Sequence, residues 1–143
     1  MDQETLYIQK FQINGRDFVN AGTVSVQIKK ILKEIGIKPE IIYRVSICCY
    51  EAEMNVIMYA DKAELIFTIT NENVIIELND EGPGIKDIEL AMKEGYSTAT
   101  MEMREMGFGA GLGLPNIKKN SDEFFIKSEI SKGTSLNFKI NLN

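Results

Sequence analysis

Three stretches of this chain combine residue types and spacings that chemistry can use. Asp80-Glu81-Gly82-Pro83-Gly84 follows a strand-like run from Val74 to Leu78. Its acid therefore sits where a strand ends and the backbone must turn tightly and lie close to a ligand, which glycine permits. Gly107, Gly109, Gly111 and Gly113 recur at every second position and lead into a helical segment, 114–120. Exposed backbone N–H groups ahead of a helix start form a phosphate site. Upstream, Glu51 and Asn55 lie four residues apart in a helical pattern, so they share a face bordering the apolar stripe and can point together into a cleft.

The elements that must position these residues follow from periodicity. Leu6, Ile8, Phe11 and Ile13 form a broken period-two pattern, an opening strand over 5–13 with an irregularity near Lys10. From about Phe18 to Ile35 the period becomes helical, with Ile28, Ile31, Leu32 and Ile35 on one stripe and Gly36 as the C-cap. Pro39 opens a second helix whose apolar face runs Ile41, Val45, Cys48, Ala52, Val56 and Tyr59. Residues 63–70 and 73–80 read as a hairpin across Asn71-Glu72-Asn73, and 123–130 and 134–141 as another across Ser131-Lys132-Gly133. A short helix over 87–94 precedes the polar, Met-rich segment 95–106, which lacks periodicity and is bracketed by glycines as a lid would be. Strands and helices interleave without regular β-α alternation, which predicts an α+β fold: a two-layer sandwich with its helices on one face of the sheet.

Several classes are excluded. A P-loop needs a glycine followed by Lys and Ser or Thr, whereas Lys132-Gly133-Thr134 has the order wrong. The glycine run spells G-x-G-x-G-x-G after a polar segment, not G-x-G-x-x-G after a strand, so a dinucleotide fingerprint is absent too. With no histidine, a phospho-accepting histidine, His-based triads and most zinc sites are removed. A net charge of -5 without a basic block argues against nucleic acid as a partner. The 143 residues fit one domain, 1–143. No apolar run is long enough to span a bilayer and the N-terminus does not resemble a signal peptide, so a cytoplasmic location without a membrane partner is expected. Cys48 and Cys49 are adjacent within a helical pattern and read as reduced, the apolar one packing.

With Glu51-x-x-x-Asn55, Asp80-x-Gly82-x-Gly84 and the 107–113 glycine run in this order, the chain resembles the GHKL, or histidine-kinase-like, ATPase superfamily of gyrase, Hsp90-type chaperones, sensor histidine kinases and mismatch-repair ATPases. Within it, the chain is most similar to the small serine/threonine kinases of bacterial anti-sigma-factor and stress-switch signalling. That likeness is strongest from Asp80 to Ile85, through Gly95-Tyr96-Ser97-Thr98 and Gly113-Leu114-Pro115, to Ser121-Asp122-Glu123-Phe124, within a resemblance covering roughly 5–140. It implies the Bergerat fold, with a mixed, mostly antiparallel sheet and a helical layer that holds ATP or ADP with Mg²⁺.

The resemblance also implies roles. Asp80 would accept a hydrogen bond from the adenine amino group, beside Gly82 and Gly84; its bland alternative is a turn aspartate. Gly107, Gly109, Gly111 and Gly113 would cradle the phosphates. Asn55 would give Mg²⁺ a neutral oxygen. Glu51 would accept a proton from the attacking hydroxyl or water, the alternative being a solvated helical glutamate, and Glu53, on another face, reads as such a solvated residue. Thr134 would hold adenine through water or is a plain strand threonine, and Arg104 would reach the γ-phosphate or stay solvated on the lid. Lys118 and Lys119 read as surface charges, and Met101, Met103 and Met106 as an adaptable partner surface or a loosely packed lid.

Two features depart from the pattern: Tyr59 stands where a histidine is common, and the lid with its glycine run is slightly longer than in the nearest switch kinases. Neither a transducer domain after residue 143 nor a helical phospho-acceptor domain before residue 5 is expected, which speaks against topoisomerase, mismatch-repair and stand-alone sensor-kinase readings. The implied function is ATP-dependent transfer of phosphate to a Ser or Thr of a small antagonist protein. A sigma factor or other regulator is a further partner of this type, and a homodimer is compatible with it. The competing reading is a non-catalytic switch in which ATP or ADP controls a protein contact.

Overall fold

The strands of this protein follow a mostly alternating pattern, and their buried apolar side chains land on the same side of one sheet, whereas Leu6, Ile8 and Phe125 are exposed. The structure, a computed structural model, describes residues 4–93 and 113–143. The strands are β1 (Thr5–Asn14), β2 (Lys62–Thr70), β3 (Asn73–Glu81), β4 (Glu123–Glu129) and β5 (Gly133–Asn141). They lie in the order β1-β2-β3-β5-β4, and each pairing is antiparallel, as expected of a mostly antiparallel sheet. Ile13, Leu65, Phe67, Ile76, Leu78, Leu136, Phe138 and Ile140 form the buried face, while Glu64, Asn79 and Asn137 point the other way into solvent. The irregularity in β1 lies between Thr5 and Tyr7, not near Lys10: Gln9, Lys10 and Phe11 keep unbroken register with Phe67, Ile66 and Leu65.

The helices cover that apolar face. They are α1 (Thr23–Ile35), α2 (Pro39–Tyr59), the single-turn α3 (Ile88–Ala91) and α4 (Gly113–Asn120). The expected helix from Phe18 is divided: a 3-10 turn at Phe18–Asn20 ends before Gly22, whose φ of 91° turns the chain into α1. Gly36 closes α1 in the left-handed conformation, donating its N–H to the carbonyls of Leu32 and Lys33. Pro39 occupies the first turn of α2, where its missing N–H costs nothing.

The apolar stripe of α2 places Val45, Cys48, Ala52 and Val56 at zero exposure beneath the sheet. Ile28 and Leu32 of α1 and Leu114 and Ile117 of α4 complete this core. Both cysteines are free and buried, and burial pushes the Cys48 thiol up to about 12, so they pack rather than react. Arg44 of α2 pairs with Asp122 at 3.2 Å and donates from Nε to the Asn120 carbonyl, which ties α2 to the end of α4. Among the described residues no helix is long and apolar enough to cross a membrane.

Candidate functional site

The end of β3 and the start of β5 build one half of the site. Leu78 pairs with Leu136, so Asp80 and Thr134 fall one step further along the same helix-facing side of the two strands. Asp80 Oδ1 accepts the backbone N–H of Thr134 at 3.0 Å. Its other oxygen has no hydrogen-bond donor among the described residues and remains free to accept. Burial pushes the Asp80 carboxyl above its usual range, and the Thr134 N–H partly opposes this.

Backbone geometry at this corner requires glycine twice. Gly133 has a φ of 136°, and a Cβ there would stand 2.0 Å from the Asp80 carbonyl oxygen. Gly84 has a φ of 78°, and a Cβ there would meet the Glu129 carbonyl oxygen at 2.4 Å. Gly82 packs against Ala60, just past the end of α2. The Ser128 hydroxyl joins the two loops. It accepts the Ile85 N–H at 2.7 Å and lies 2.8 Å from Thr134 Oγ1 and 3.2 Å from the Gly133 carbonyl. Sequence reasoning missed Ser128, because a strand serine resembles any other until its partners are known.

The other half rests on α2 and α4. Glu51 and Asn55 are half-buried, one turn apart, and both side chains face the first residue of α4. A Cβ on Gly113 would lie 3.1 Å from Glu51 Oε2 and 3.3 Å from Asn55 Oδ1, a tight approach that a side chain there would crowd. Burial raises the Glu51 carboxyl above its usual value. The alternative of a fully solvated glutamate is therefore not met at Glu51, which is half-buried.

Nor is it met at Glu53, which is 1 % exposed. Its carboxylate accepts backbone N–H groups from Gly22, Val24 and Ser25 at 3.0 to 3.2 Å, so a residue of α2 caps the N-terminus of α1. Burial pushes this carboxyl up while the N–H donors pull it down. Glu53 does point away from Glu51 and Asn55, but into α1 rather than into water.

The structure thus brings Asp80, Gly82, Gly84 and Thr134 into one cluster and Glu51, Asn55 and Gly113 into another, with the end of α2 against Gly82 linking them. Arg104, Gly107, Gly109 and Gly111, with the expected lid, lie outside the described residues. A nucleotide fits what is present: a half-buried acceptor with a free oxygen at one end, and at the other a carboxylate and an amide oxygen beside a helix start kept open by glycine. No group of three or more His, Cys, Asp or Glu residues that could hold a metal occurs among the described residues. Asn55 would serve as one oxygen ligand to Mg²⁺, an ion that takes most of its other ligands from phosphate and water.

The sequence matches the histidine kinase-like ATPase domain from residue 17 to residue 140. The chain belongs to this family. Among relatives of this histidine kinase-like ATPase domain is the serine/threonine-protein kinase RsbT of Bacillus subtilis (strain 168), 30% identical over 112 residues that cover 76% of this chain and 78% of RsbT. The anti-sigma F factor of Thermoanaerobacter sp. (strain X514) is 38% identical over 66 residues, 46% of this chain and 43% of that protein. The fold is shared with the RsbU and RsbW domains of Rv1364c from Mycobacterium tuberculosis, with a TM-score of 0.59 at 16% identity over 92% of this chain and 32% of that one. It is shared also with the mycobacterial sensor histidine kinase MprB, with a TM-score of 0.54 at 12% identity over 94% of this chain and 97% of that one.

Proposed function

We propose that this histidine kinase-like ATPase domain is a serine/threonine protein kinase that uses ATP and Mg²⁺ to phosphorylate a small antagonist-type protein. The observation that carries the proposal is the convergence of the Glu51 carboxylate and the Asn55 amide on Gly113, in a chain 30% identical to a serine/threonine-protein kinase. When bound, MgATP supplies the transferable phosphoryl group. Asp80 reads the adenine amine with its free oxygen while Thr134 and Ser128 hold that carboxylate and the loop around it in place. Asn55 presents an oxygen to the metal. Glu51, made more basic by burial, would accept the proton of the acceptor hydroxyl, with the phosphoryl group supplied by bound MgATP and ADP as the leaving group.

Single-turnover transfer of labelled phosphate from ATP to a candidate antagonist protein, with ATP binding followed in parallel, tests this function. Glu51→Ala is expected to keep MgATP binding and to lose roughly 10²-fold or more in transfer, the scale of a missing general base. Asn55→Ala is expected to lose the Mg²⁺-dependent part of nucleotide affinity. Equal trace transfer by wild type and Glu51→Ala, with both binding ATP tightly, would leave a non-catalytic nucleotide switch.

A further inference from the structure

Glu51 stands in two places at once. One carboxylate oxygen faces Gly113, and the same side chain forms part of the wall of a groove of about 740 Å³ between α1, α2 and α4. Along α2 the groove is lined by Tyr43, Ile47, Tyr50 and Glu51, a stripe at helical spacing that ends on the carboxylate. At 1.5 Å of rise per residue that stripe is about 12 Å long, room for roughly three or four residues of extended chain.

The lining has a definite chemistry. Val26 and Tyr43 are 65% and 67% exposed, so apolar surface is available along one wall. Lys29 of α1 and Lys119 of α4 both line the groove, and neither makes an ion pair among the described residues. In a chain of net charge -5 this places two free ammonium groups against one carboxylate. Ser46, also in the wall, has a buried hydroxyl with no hydrogen-bond partner among the described residues. The Arg44–Asp122 pair and the Arg44 bond to the Asn120 carbonyl tie α2 to the end of α4, two of the three helices that wall the groove.

We propose that this groove is the docking site for the acceptor polypeptide, a segment with acidic and apolar residues around the serine or threonine whose hydroxyl it delivers to Glu51. The inference rests on the kinase reading and deepens it. An acceptor must reach Glu51 from a side that leaves Asn55 and Gly113 to the nucleotide, and Glu51 lines the groove whereas Asn55 and Gly113 do not. Lys29 and Lys119 favour negatively charged segments and disfavour basic ones, and Tyr43 and Tyr50 are of the residue type that anchors interfaces.

The test uses the full chain with ADP and two short synthetic peptides, each with one central serine among leucines, one flanked by glutamates and the other by lysines. Amide shifts report binding, and labelled ATP reports transfer. The acidic peptide is expected to shift the amides of Val26, Lys29, Tyr43, Tyr50 and Lys119 saturably. The double variant Lys29→Glu, Lys119→Glu is expected to bind it about ten-fold or more weakly, to gain affinity for the basic peptide, and to bind ADP unchanged. Absence of saturable shifts at those positions, equal shifts with the basic peptide, or undiminished acidic-peptide binding by the double variant would overturn the docking site. Groove binding with no transfer to the peptide or to any antagonist protein would remove the kinase function and, with it, the acceptor role of the groove. Transfer to an antagonist protein that the double variant performs as well as wild type would uphold the kinase and overturn the groove.

Discussion

The Asp80 carboxylate is held by the backbone of Thr134: Oδ1 accepts that N–H at 3.0 Å, and the second oxygen is left to a ligand. A strand end and a strand start, 54 residues apart in sequence, thereby fix a single acceptor. Asp80→Asn replaces an acceptor-only group with one whose amide either opposes the Thr134 N–H or turns a donor toward the adenine amine. ADP affinity is expected to fall by about 1 to 3 kcal/mol, roughly 5- to 150-fold, in a variant that remains folded. Titration calorimetry with a circular dichroism control measures both.

The same carboxylate sets a pH dependence. Burial raises the Asp80 pKa, so in the free protein it takes up a proton at a higher pH than an ordinary aspartate does. The ionised form accepts the Thr134 N–H on Oδ1 and leaves the second oxygen to the adenine amine, whereas protonation places a donor on one of the two. Nucleotide affinity is therefore expected to be full near neutrality and to be lost on acidification, with a midpoint above the ordinary aspartate range of about 3.9. In Asp80→Asn this acid limb should vanish, which binding measured across a pH series will show.

Glu53 holds α1 to α2 by three N–H donors. Glu53→Ala leaves those donors buried and unpaired, and a loss of about 3 kcal/mol or more in unfolding free energy is expected. Glu53→Gln keeps an acceptor oxygen but also turns an NH₂ toward the donors, and should retain part of the stability. Urea denaturation of the two variants against wild type gives the ordering.

Gly133→Ala and Ser128→Ala separate backbone fit from hydroxyl bridging. The first forces a Cβ onto the Asp80 carbonyl at a φ of 136° and should lower stability and nucleotide affinity together. The second removes the acceptor of the Ile85 N–H and should cost about 1 kcal/mol, with Ser128→Thr restoring much of it. Denaturation and ADP titration of all three variants check these outcomes.

Much of this arrangement was legible in residue order. Glycines that must turn or approach backbone declare themselves, which is why Gly84 was correctly placed, and period and capping residues located both hairpins and α2 to within a residue or two. Glu53 was not legible. Its partners are backbone N–H groups 28 to 31 residues upstream, and backbone donors leave no mark in side-chain patterning. The groove was hidden for a related reason: Lys29, Tyr43 and Lys119 come from three helices, and a helix's own period does not state its angle to its neighbours. Ser128 has three polar groups around it only because β4 returns beside the Gly84 turn, a long-range closure that no local signal carries.

The strand order has a further consequence. β5 enters the sheet between β3 and β4, and α4 packs on α2, so the segments on either side of 94–112 are joined by a ladder from Asn73 to Asn79 and by a shared core. The Asp80–Thr134 contact therefore rests on the β3–β5 ladder, and the approach of Glu51 to Gly113 rests on the packing of α4 against α2. A substitution within that ladder, away from both clusters, would therefore reach the Asp80 carboxylate through strand register alone.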